Sequence, residues 1–211
     1  MSVLATAIDR LGAFLAPPRC CACDEPTGPA VAFCPSCART VERSSSALAP
    51  FVYGGAVATA ITRFKYTPTP ELARPLGLLL AQAARERALA VDLVVPVPLH
   101  AGRLIERGFN QAALLARPVA RALGVPLAAR GLERTRPTAK QAELDREARR
   151  RNVAGAFRAR GPGLEGRVAL LVDDVRTTGA TERACARALR EAGCREVHCL
   201  VLAIAAAIAY P

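Results

Sequence analysis

Residues 168–181 constrain the fold more than any other part of the chain. The apolar run 168–172 favours a strand that is covered on both faces, as in a parallel sheet, and the apolar spacing after the following turn favours a helix. Asp173 and Asp174 therefore follow a buried strand at its carboxyl end, where open α/β sheets bind ligands. The hydroxyl-rich turn Thr177–Thr181 leads into the helix, whose first N–H groups attract anions. This segment predicts a site for a ribose and a phosphate.

The same residues also have a purely structural interpretation. Asp173 and Asp174 are common turn residues, and Thr178 is an ordinary N-cap for a surface helix. Capping alone does not account for two carboxylates that precede two threonines, a glycine and a third threonine. The stretch LVDDVRTTGAT resembles the signature of type I phosphoribosyltransferases, which bind 5-phosphoribosyl 1-pyrophosphate (PRPP).

This resemblance implies a role for each residue of the signature. Asp173 and Asp174 would contact the ribose hydroxyls or help to hold Mg²⁺. The turn would wrap the 5-phosphate through Thr177, Thr178, Gly179, Ala180 and Thr181. Purine-salvage members of the family usually carry an aspartate, which handles a ring proton of the base, where this chain has Thr177. Because threonine cannot act as a general base near neutral pH, purine salvage is disfavoured.

Four cysteines near the amino terminus have the spacing of a metal site. Two CxxC pairs separated by ten residues predict a tetrahedral four-thiolate zinc site made by Cys20, Cys23, Cys34 and Cys37. A site with four protein ligands has no open position, so the predicted zinc is structural. Cys21 lies inside the first pair and is predicted to be spare. Redox-active pairs or unligated thiols are the alternatives.

The chain is predicted to have two units, an amino-terminal helix with the zinc module in residues 1–49 and a larger α/β unit in residues 50–211. The serines at 44–46, followed by Pro50, mark the boundary. A chain of 211 residues with 52% hydrophobic content can hold one α/β domain and a small appendage. Alternating patterns in the second unit favour a parallel sheet flanked by helices, with helices at 56–64, 72–89 and 111–123, strands at 93–97 and 125–128, and a final strand from 197.

Two further segments carry charge that suits a phosphorylated ligand. In VVPVPLHAGRLIERGFNQ, residues 94–111, the prolines predict the end of strand pairing, and Arg103 and Arg107 follow in a loop at helical spacing. Guanidinium groups suit a pyrophosphate, although both arginines fit a solvated surface equally well. The basic arm 134–157 is interpreted either as a solvated helix or as a lid that closes over a phosphate ester.

These motifs occur together in one known family. PVPLH, RxxxRGFNQ, QxxLxxxxRxxNVxGAF from Gln141 and LVDDVxTTGAT stand in the same order in the ComF family of competence-associated phosphoribosyltransferase-like proteins. The paired CxxC knuckles also match that family's small zinc module, so the resemblance covers almost the whole chain. It implies a type I phosphoribosyltransferase-like parallel sheet with an amino-terminal zinc-ribbon-like module.

The ComF resemblance also implies further site residues. It places Arg103 and Arg107 near the pyrophosphate, and Lys65, in RFKY, near the ligand. This chain departs from the family pattern in its extra thiol, Cys21, and in the residues before Gln141, where proline is frequent. The second departure would alter the shape of the lid.

The expected function is Mg²⁺-dependent binding of PRPP, with transfer of its phosphoribosyl group to an unknown acceptor as the enzyme hypothesis. No general base is apparent. The alternative is a non-catalytic protein that senses a phosphoribosyl ligand or handles single-stranded DNA beside the competence machinery, and a redox protein is a third hypothesis. A net charge of +11 and a pI of 10.0 suit a polyanionic partner of either kind.

No segment has the pattern of an export signal or a membrane span. The amphipathic helix predicted at 2–15 carries Asp9 and Arg10 in its middle, which interrupts a signal-peptide core. The apolar run 197–210 has 14 residues and includes His198, whereas a spanning helix needs about 20 residues. The sequence therefore predicts a cytoplasmic protein.

Overall fold

The computed structural model describes residues 18–29, 31–67, 69–136, 155–160 and 163–205. Its helices are α1 Pro35–Ala38, α2 Gly55–Tyr66, α3 Ala73–Glu86, α4 Ala101–Arg107, α5 Gln111–Leu123 and α6 Ala180–Glu191. Its strands are β1 Phe51–Val52, β2 Leu93–Pro96, β3 Leu132–Arg134, β4 Phe157–Ala159, β5 Val168–Arg176 and β6 Glu196–Ile204. The predicted helix at 2–15 and residues 137–154 of the predicted arm lie outside the described residues.

A parallel sheet of four strands, in the order β1-β6-β5-β2, forms the centre of the fold. β5 pairs with β6 along its whole length, but its pairing with β2 ends where Pro96 lies opposite Val172. Proline ends the pairing, as predicted, because it brings no N–H group to the ladder. Asp173 and Asp174 of β5 therefore lie just beyond the last residue pair between β2 and β5, at the carboxyl edge of the sheet.

The side chains of β5 alternate between two cores. Leu170 and Val172 belong to a core that includes α2, α3 and α5. Ala169 and Leu171 belong to a second core that includes α6 and the antiparallel β3–β4 pair. Helices thus cover both faces of a parallel sheet, and the predicted fold class is confirmed.

Local structure differs from the prediction in four places. Strand β5, expected to end before Asp173, continues to Arg176 and includes both aspartates, because β6 pairs with it as far as Ile204. The strand predicted at 125–128 is only a single parallel bridge between Leu127 and Val94, next to a proline that has no N–H group. The β3–β4 pair at the two ends of the predicted arm was not predicted, because strands of three residues with charged side chains give no clear period. Arg103 and Arg107 lie in a helix, α4, rather than in a loop, and His100 caps this helix by accepting from the Gly102 N–H through Nδ1, at 3.3 Å.

The cysteine-rich segment packs directly on the sheet domain. Cys21 and Ala32 belong to the same buried core as Phe51 and Phe64. The predicted boundary between residues 49 and 50 stays a prediction. Within the part of the chain that the structure describes, every helix is too short or too polar to cross a membrane.

Candidate functional site

The predicted ligand residues come from three segments of the chain. Lys65 lies in the last turn of α2, Arg103 and Arg107 lie in α4 after β2, and the acidic pair lies in β5, two residues before its end at Arg176. Because the strands are parallel, the segments that follow β2 and β5 leave the sheet at the same edge. Asn110 fixes this region by donating from Nδ2 to the carbonyl of Val97, at 3.0 Å.

Asp174 forms an ion pair with Lys65. Lys65 Nζ lies 2.9 Å from Asp174 Oδ1, and the two side chains are only 22% and 10% exposed. Burial lowers the pKa of Lys65, but the charge and hydrogen bond of Asp174 raise it more, so the ammonium stays charged. The chain has 29 basic residues, and lysine stands only at positions 65 and 140. All the other basic residues are arginine, so the lysine at position 65 departs from the general preference of this chain.

Asp173 has different surroundings, because successive residues of a strand point to opposite faces. Its carboxylate is on the side of α6, where burial and the charges of Asp174 and Glu182 raise its pKa well above the usual range. Its Oδ1 accepts a hydrogen bond from the backbone N–H of Asp174, at 2.8 Å. The two neighbouring aspartates therefore differ: Asp174 has a cation beside it, whereas the negative charge of Asp173 is poorly compensated.

The turn after β5 is built closely around Gly179. This glycine has a φ of 70° and is the N-cap of α6, so the helix starts with Ala180 and Thr181. A Cβ at position 179 would lie 2.7 Å from Arg176 Nη2 and 2.9 Å from Arg183 Nη1. Two guanidinium groups thus approach the backbone at the start of a helix, where the dipole and the first N–H groups also favour an anion.

The hydroxyl groups of the turn are in different environments. Thr177 is exposed, whereas the Thr178 hydroxyl is buried and has no hydrogen-bond partner among the described residues. A buried hydroxyl without a hydrogen-bond partner is energetically costly. This hydroxyl would be satisfied if it donated a hydrogen bond to an oxygen of a bound ligand. The turn therefore fits a phosphate group in both charge and hydrogen bonding.

Arg107 lies beside Lys65, and Arg103 lies one turn earlier in the same helix. Arg107 donates to Gln111 Oε1 at 3.1 Å and covers the ring of Tyr66, with its guanidinium carbon 5.2 Å from the ring centre. Its positive charge also lowers the pKa of Lys65. Arg103 keeps 30% of its side chain exposed and pairs with Glu106 at 3.6 Å. Both positions are open to an anionic ligand, and their roles stay predictions.

Two charged residues near Asp173, one buried and one partly buried, were missed in the sequence. Glu182, in the first turn of α6, is 3% exposed, and burial raises its pKa. Arg134 covers Phe157, and burial lowers its pKa while the charge of Asp173 raises it. A glutamate at the start of a helix usually indicates an exposed dipole contact, so the sequence holds no signal for its burial.

The predicted metal ligands come together as a compact cluster. The Sγ atoms of Cys20, Cys23, Cys34 and Cys37 all lie within 4.8 Å of one another, as one tetrahedral ion requires. The backbone N–H of Cys34 donates to Cys20 Sγ at 3.4 Å, a contact that favours a thiolate. Burial alone would raise the pKa of Cys20, but backbone N–H donors lower it to about 6. The four cysteines can therefore hold a metal ion, and the chemistry of four thiolates fits zinc.

Cys21 is excluded from this cluster by its position. It is fully buried in the hydrophobic core, and its N–H donates to the carbonyl of Ala32 at 2.8 Å. Burial raises the pKa of its thiol to about 12. Cys21 thus behaves as a small apolar residue that joins the cysteine-rich segment to the sheet domain.

Comparison with known proteins relates this architecture to one family. The model of the phosphoribosyl transferase domain family matches residues 110–209, which include β5, the turn and α6. The chain is 38% identical over 143 residues to the DNA utilization protein YhgH of Salmonella typhi, an alignment that covers 65% of this chain and 63% of that one. It is 36% identical over 146 residues to competence protein F of Haemophilus influenzae, with the same two coverages, 65% and 63%.

The chain belongs to the ComF family. It spans 63% of the length of the Salmonella and Haemophilus relatives. Among solved structures, a glutamine PRPP amidotransferase from B. subtilis is 26% identical, covers 71% of this chain and 28% of its own, and has a TM-score of 0.42. The match to the family model shows that this ComF protein has a phosphoribosyltransferase-type domain, and a cysteine cluster lies on the amino-terminal side of that domain.

Proposed function

We propose that this ComF protein binds PRPP with Mg²⁺ at the carboxyl edge of its sheet. The observation that carries the proposal is the Lys65–Asp174 ion pair, which holds a partly buried lysine 2.9 Å from the signature carboxylate. The same edge carries the turn with the unsatisfied Thr178 hydroxyl and the guanidinium groups of Arg176 and Arg183. A ligand with a diol and a phosphate at one end matches both groups of contacts.

Each part of the ligand has a suitable set of residues. The 5-phosphate would lie on the turn Thr177–Thr181, against the first N–H groups of α6. The carboxylates of Asp173 and Asp174 would accept hydrogen bonds from the ribose hydroxyls. Lys65 and Arg107, which lie beside this pair, and Arg103 of the same helix as Arg107 would neutralise the pyrophosphate.

Mg²⁺ fits the same residues. Asp173 and Asp174 offer hard oxygen ligands, and a divalent cation would offset the charge that burial makes costly on Asp173. When bound, the ion would screen the phosphate oxygens of the ligand. The cysteine cluster would hold a structural zinc ion, and the protein would work in the cytoplasm, where thiols stay reduced.

Transfer of the phosphoribosyl group requires an acceptor, which the proposal leaves open. Cleavage at the anomeric carbon develops positive charge while pyrophosphate leaves, so cations placed on the pyrophosphate favour it without a general base. Thr177 stands where purine-salvage enzymes carry a proton-handling aspartate, which argues against a purine acceptor. The acceptor would therefore be a nucleophile that needs no protein base at this position.

Calorimetry with PRPP and Mg²⁺ tests the proposal. The wild-type protein is expected to release heat at a stoichiometry of one ligand per chain, and the Asp173→Asn, Asp174→Asn double variant is expected to lose this signal. Equal binding by both proteins, or none by either, would reject the site. Pyrophosphate release with a panel of bases and amines then separates an enzyme from a sensor, since a sensor binds without release.

Handling of single-stranded DNA is a second candidate, favoured by a separate observation. An open cavity of about 850 Å³ between α3 and α5 is lined by four exposed arginines, Arg74, Arg85, Arg117 and Arg121. Arginine side chains along a groove suit the phosphate backbone of a nucleic acid. Two relatives of this chain are named for DNA utilization and competence, which supports the same candidate.

Salt dependence distinguishes this candidate from PRPP binding. The affinity for a single-stranded oligonucleotide should fall steeply with NaCl, and the Arg117→Ala, Arg121→Ala variant should have a shallower slope. The matched control, Arg187→Ala with Arg190→Ala, removes two exposed arginines from α6 on the opposite face of the sheet. An equal effect of both variants would indicate a response to net charge and would reject the groove.

A further inference from the structure

The cysteine cluster is attached to the helix that carries Lys65. Helix α2 runs from Gly55 to Tyr66, and Lys65 lies in its last turn. Opposite ends of this helix contact the two cysteine knuckles. The first knuckle contains Cys20 and Cys23, and the second contains Cys34 and Cys37. The metal centre and the ligand site are therefore linked by one continuous element.

The second knuckle holds the start of α2 through Thr40. The Thr40 hydroxyl donates to the carbonyl of Cys37 at 2.8 Å and accepts from the N–H of Ala56 at 2.9 Å. Gly55 has a φ of 47°, and a Cβ at this position would collide with the Thr40 carbonyl. The backbone of α2 thus starts in direct contact with the knuckle.

The first knuckle holds the end of α2 through Arg63. Arg63 Nη1 donates to three successive carbonyl oxygens, those of Cys20, Cys21 and Ala22, each at 3.2 Å. Its Nη2 donates to Asp24 Oδ1 at 2.8 Å. One guanidinium group therefore binds the whole backbone turn between the first two metal ligands, and these contacts require that turn to keep its shape.

Arg63 and Lys65 belong to the same helical turn but contact different parts of the structure. Arg63 contacts the knuckle, while Lys65 contacts Asp174 on β5. Since the long Lys65 side chain loses much rotamer freedom when it is held against a carboxylate, a well-placed helix end makes this contact less costly. A knuckle that loses its shape would release that end of the helix.

We propose that Arg63 is a positioning residue through which the four-cysteine centre sets Lys65 against Asp174. The consequence for ligand affinity rests on the proposed PRPP site, but the link between the metal centre and Lys65 does not. Loss of the metal, or of Arg63, loosens the end of α2 and weakens the Lys65–Asp174 ion pair. Metal occupancy thereby controls whether the ligand site has the Lys65 cation in place.

Chemical labelling measures this link without any ligand. Under limiting acetic anhydride, mass spectrometry gives the acetylation rate of Lys65 relative to that of Lys140, the other lysine in the sequence. In Arg63→Ala we expect the relative rate for Lys65 to rise roughly tenfold, the factor that corresponds to about 1.4 kcal/mol. Removal of zinc from the wild-type protein by a chelator should give a rise in the same direction.

Arg19→Ala is the matched control. Arg19 also contacts Asp24, with Nη1 2.9 Å from its carbonyl and 3.5 Å from Oδ2, but it belongs to the knuckle rather than to α2. Its loss should leave the Lys65 rate unchanged. Arg63→Gln keeps a shorter hydrogen-bond donor and should fall between wild type and Arg63→Ala, so a graded series remains if the alanine variant does not fold.

The outcomes separate the two proposals. If Lys65 becomes more reactive in Arg63→Ala while hydrogen exchange of the central strands is unchanged, the link holds, and calorimetry should show PRPP affinity lower by roughly tenfold. If the wild-type protein does not bind PRPP, the proposed function fails, while labelling still decides the link. A Lys65 rate equal to that of wild type in a folded Arg63→Ala variant would overturn the inference.

Discussion

Asp173 and Asp174 are adjacent in sequence but have opposite electrostatic surroundings. Burial raises the pKa of Asp173, whereas Asp174 lies 2.9 Å from the Lys65 ammonium. Asp173→Asn should therefore stabilise the unliganded protein by on the order of 1 kcal/mol at neutral pH, because it removes a charge that is costly to bury. Asp174→Asn should destabilise it by about 2 kcal/mol, because it leaves Lys65 without its partner. Both variants should lose PRPP binding.

Thermal melts as a function of pH test the origin of the Asp173 effect. A carboxyl group with a raised native pKa binds a proton in the folded state at pH values where the unfolded chain has lost it. The stability of the wild-type protein relative to Asp173→Asn should therefore fall as the pH rises from about 4 through the native pKa of Asp173, while contributions of other groups, such as Asp24 with its lowered pKa, cancel in the difference. A difference that is constant or rises over this window would contradict the prediction.

The turn before α6 is the element on which phosphate binding depends. Gly179→Ala introduces a Cβ into a left-handed backbone and displaces the guanidinium groups of Arg176 and Arg183. The matched control is Gly124→Ala, because Gly124 also has a φ of 70° but has open space around its Cβ position. Gly124→Ala should cost about 1 kcal/mol in denaturant melts, with PRPP affinity unchanged. Gly179→Ala should cost more and weaken binding more than tenfold, and equal effects would argue against a role for these guanidinium groups.

Elements with a clear period or signature could be predicted from the sequence, and short or tertiary contacts could not. The helix predicted at 111–123 has the predicted bounds, since its apolar spacing and its flanking Asn110 and Gly124 give both ends. The position of the candidate site at the carboxyl edge of the sheet could be predicted, because an apolar strand carries the acidic pair near its carboxyl end. The burial of Glu182 could not be predicted, because it depends on packing against residues distant in sequence. Lys65 was found through a family resemblance, whereas its ion pair with Asp174 is a long-range contact that no local pattern contains.

At the scale of the whole molecule, the cysteine cluster should determine the stability of more than its own segment. The cluster encloses one possible ion position, while Cys21 and Ala32 from the same segment pack into the core of the sheet domain. Metal binding to the folded state therefore stabilises both parts together. Cys34→Ser should lose zinc and melt at a lower temperature. Cys21→Ala should also melt at a lower temperature, because the small cavity reduces the free energy of unfolding by about 1 kcal/mol, but it should keep one zinc ion per chain.

Zinc content and melting temperature together separate these two effects. Release of zinc to a chromogenic chelator gives the stoichiometry, and the melts are repeated with and without added zinc. The wild-type protein and Cys21→Ala should both melt at a lower temperature after chelation, whereas Cys34→Ser should not respond, because it has no ion to lose. Loss of zinc from Cys21→Ala would assign Cys21 to the metal site and would contradict its place in the core. A melting temperature that chelation leaves unchanged in the wild-type protein would show that the cluster is not coupled to the sheet, although it lies against the helix that carries Lys65.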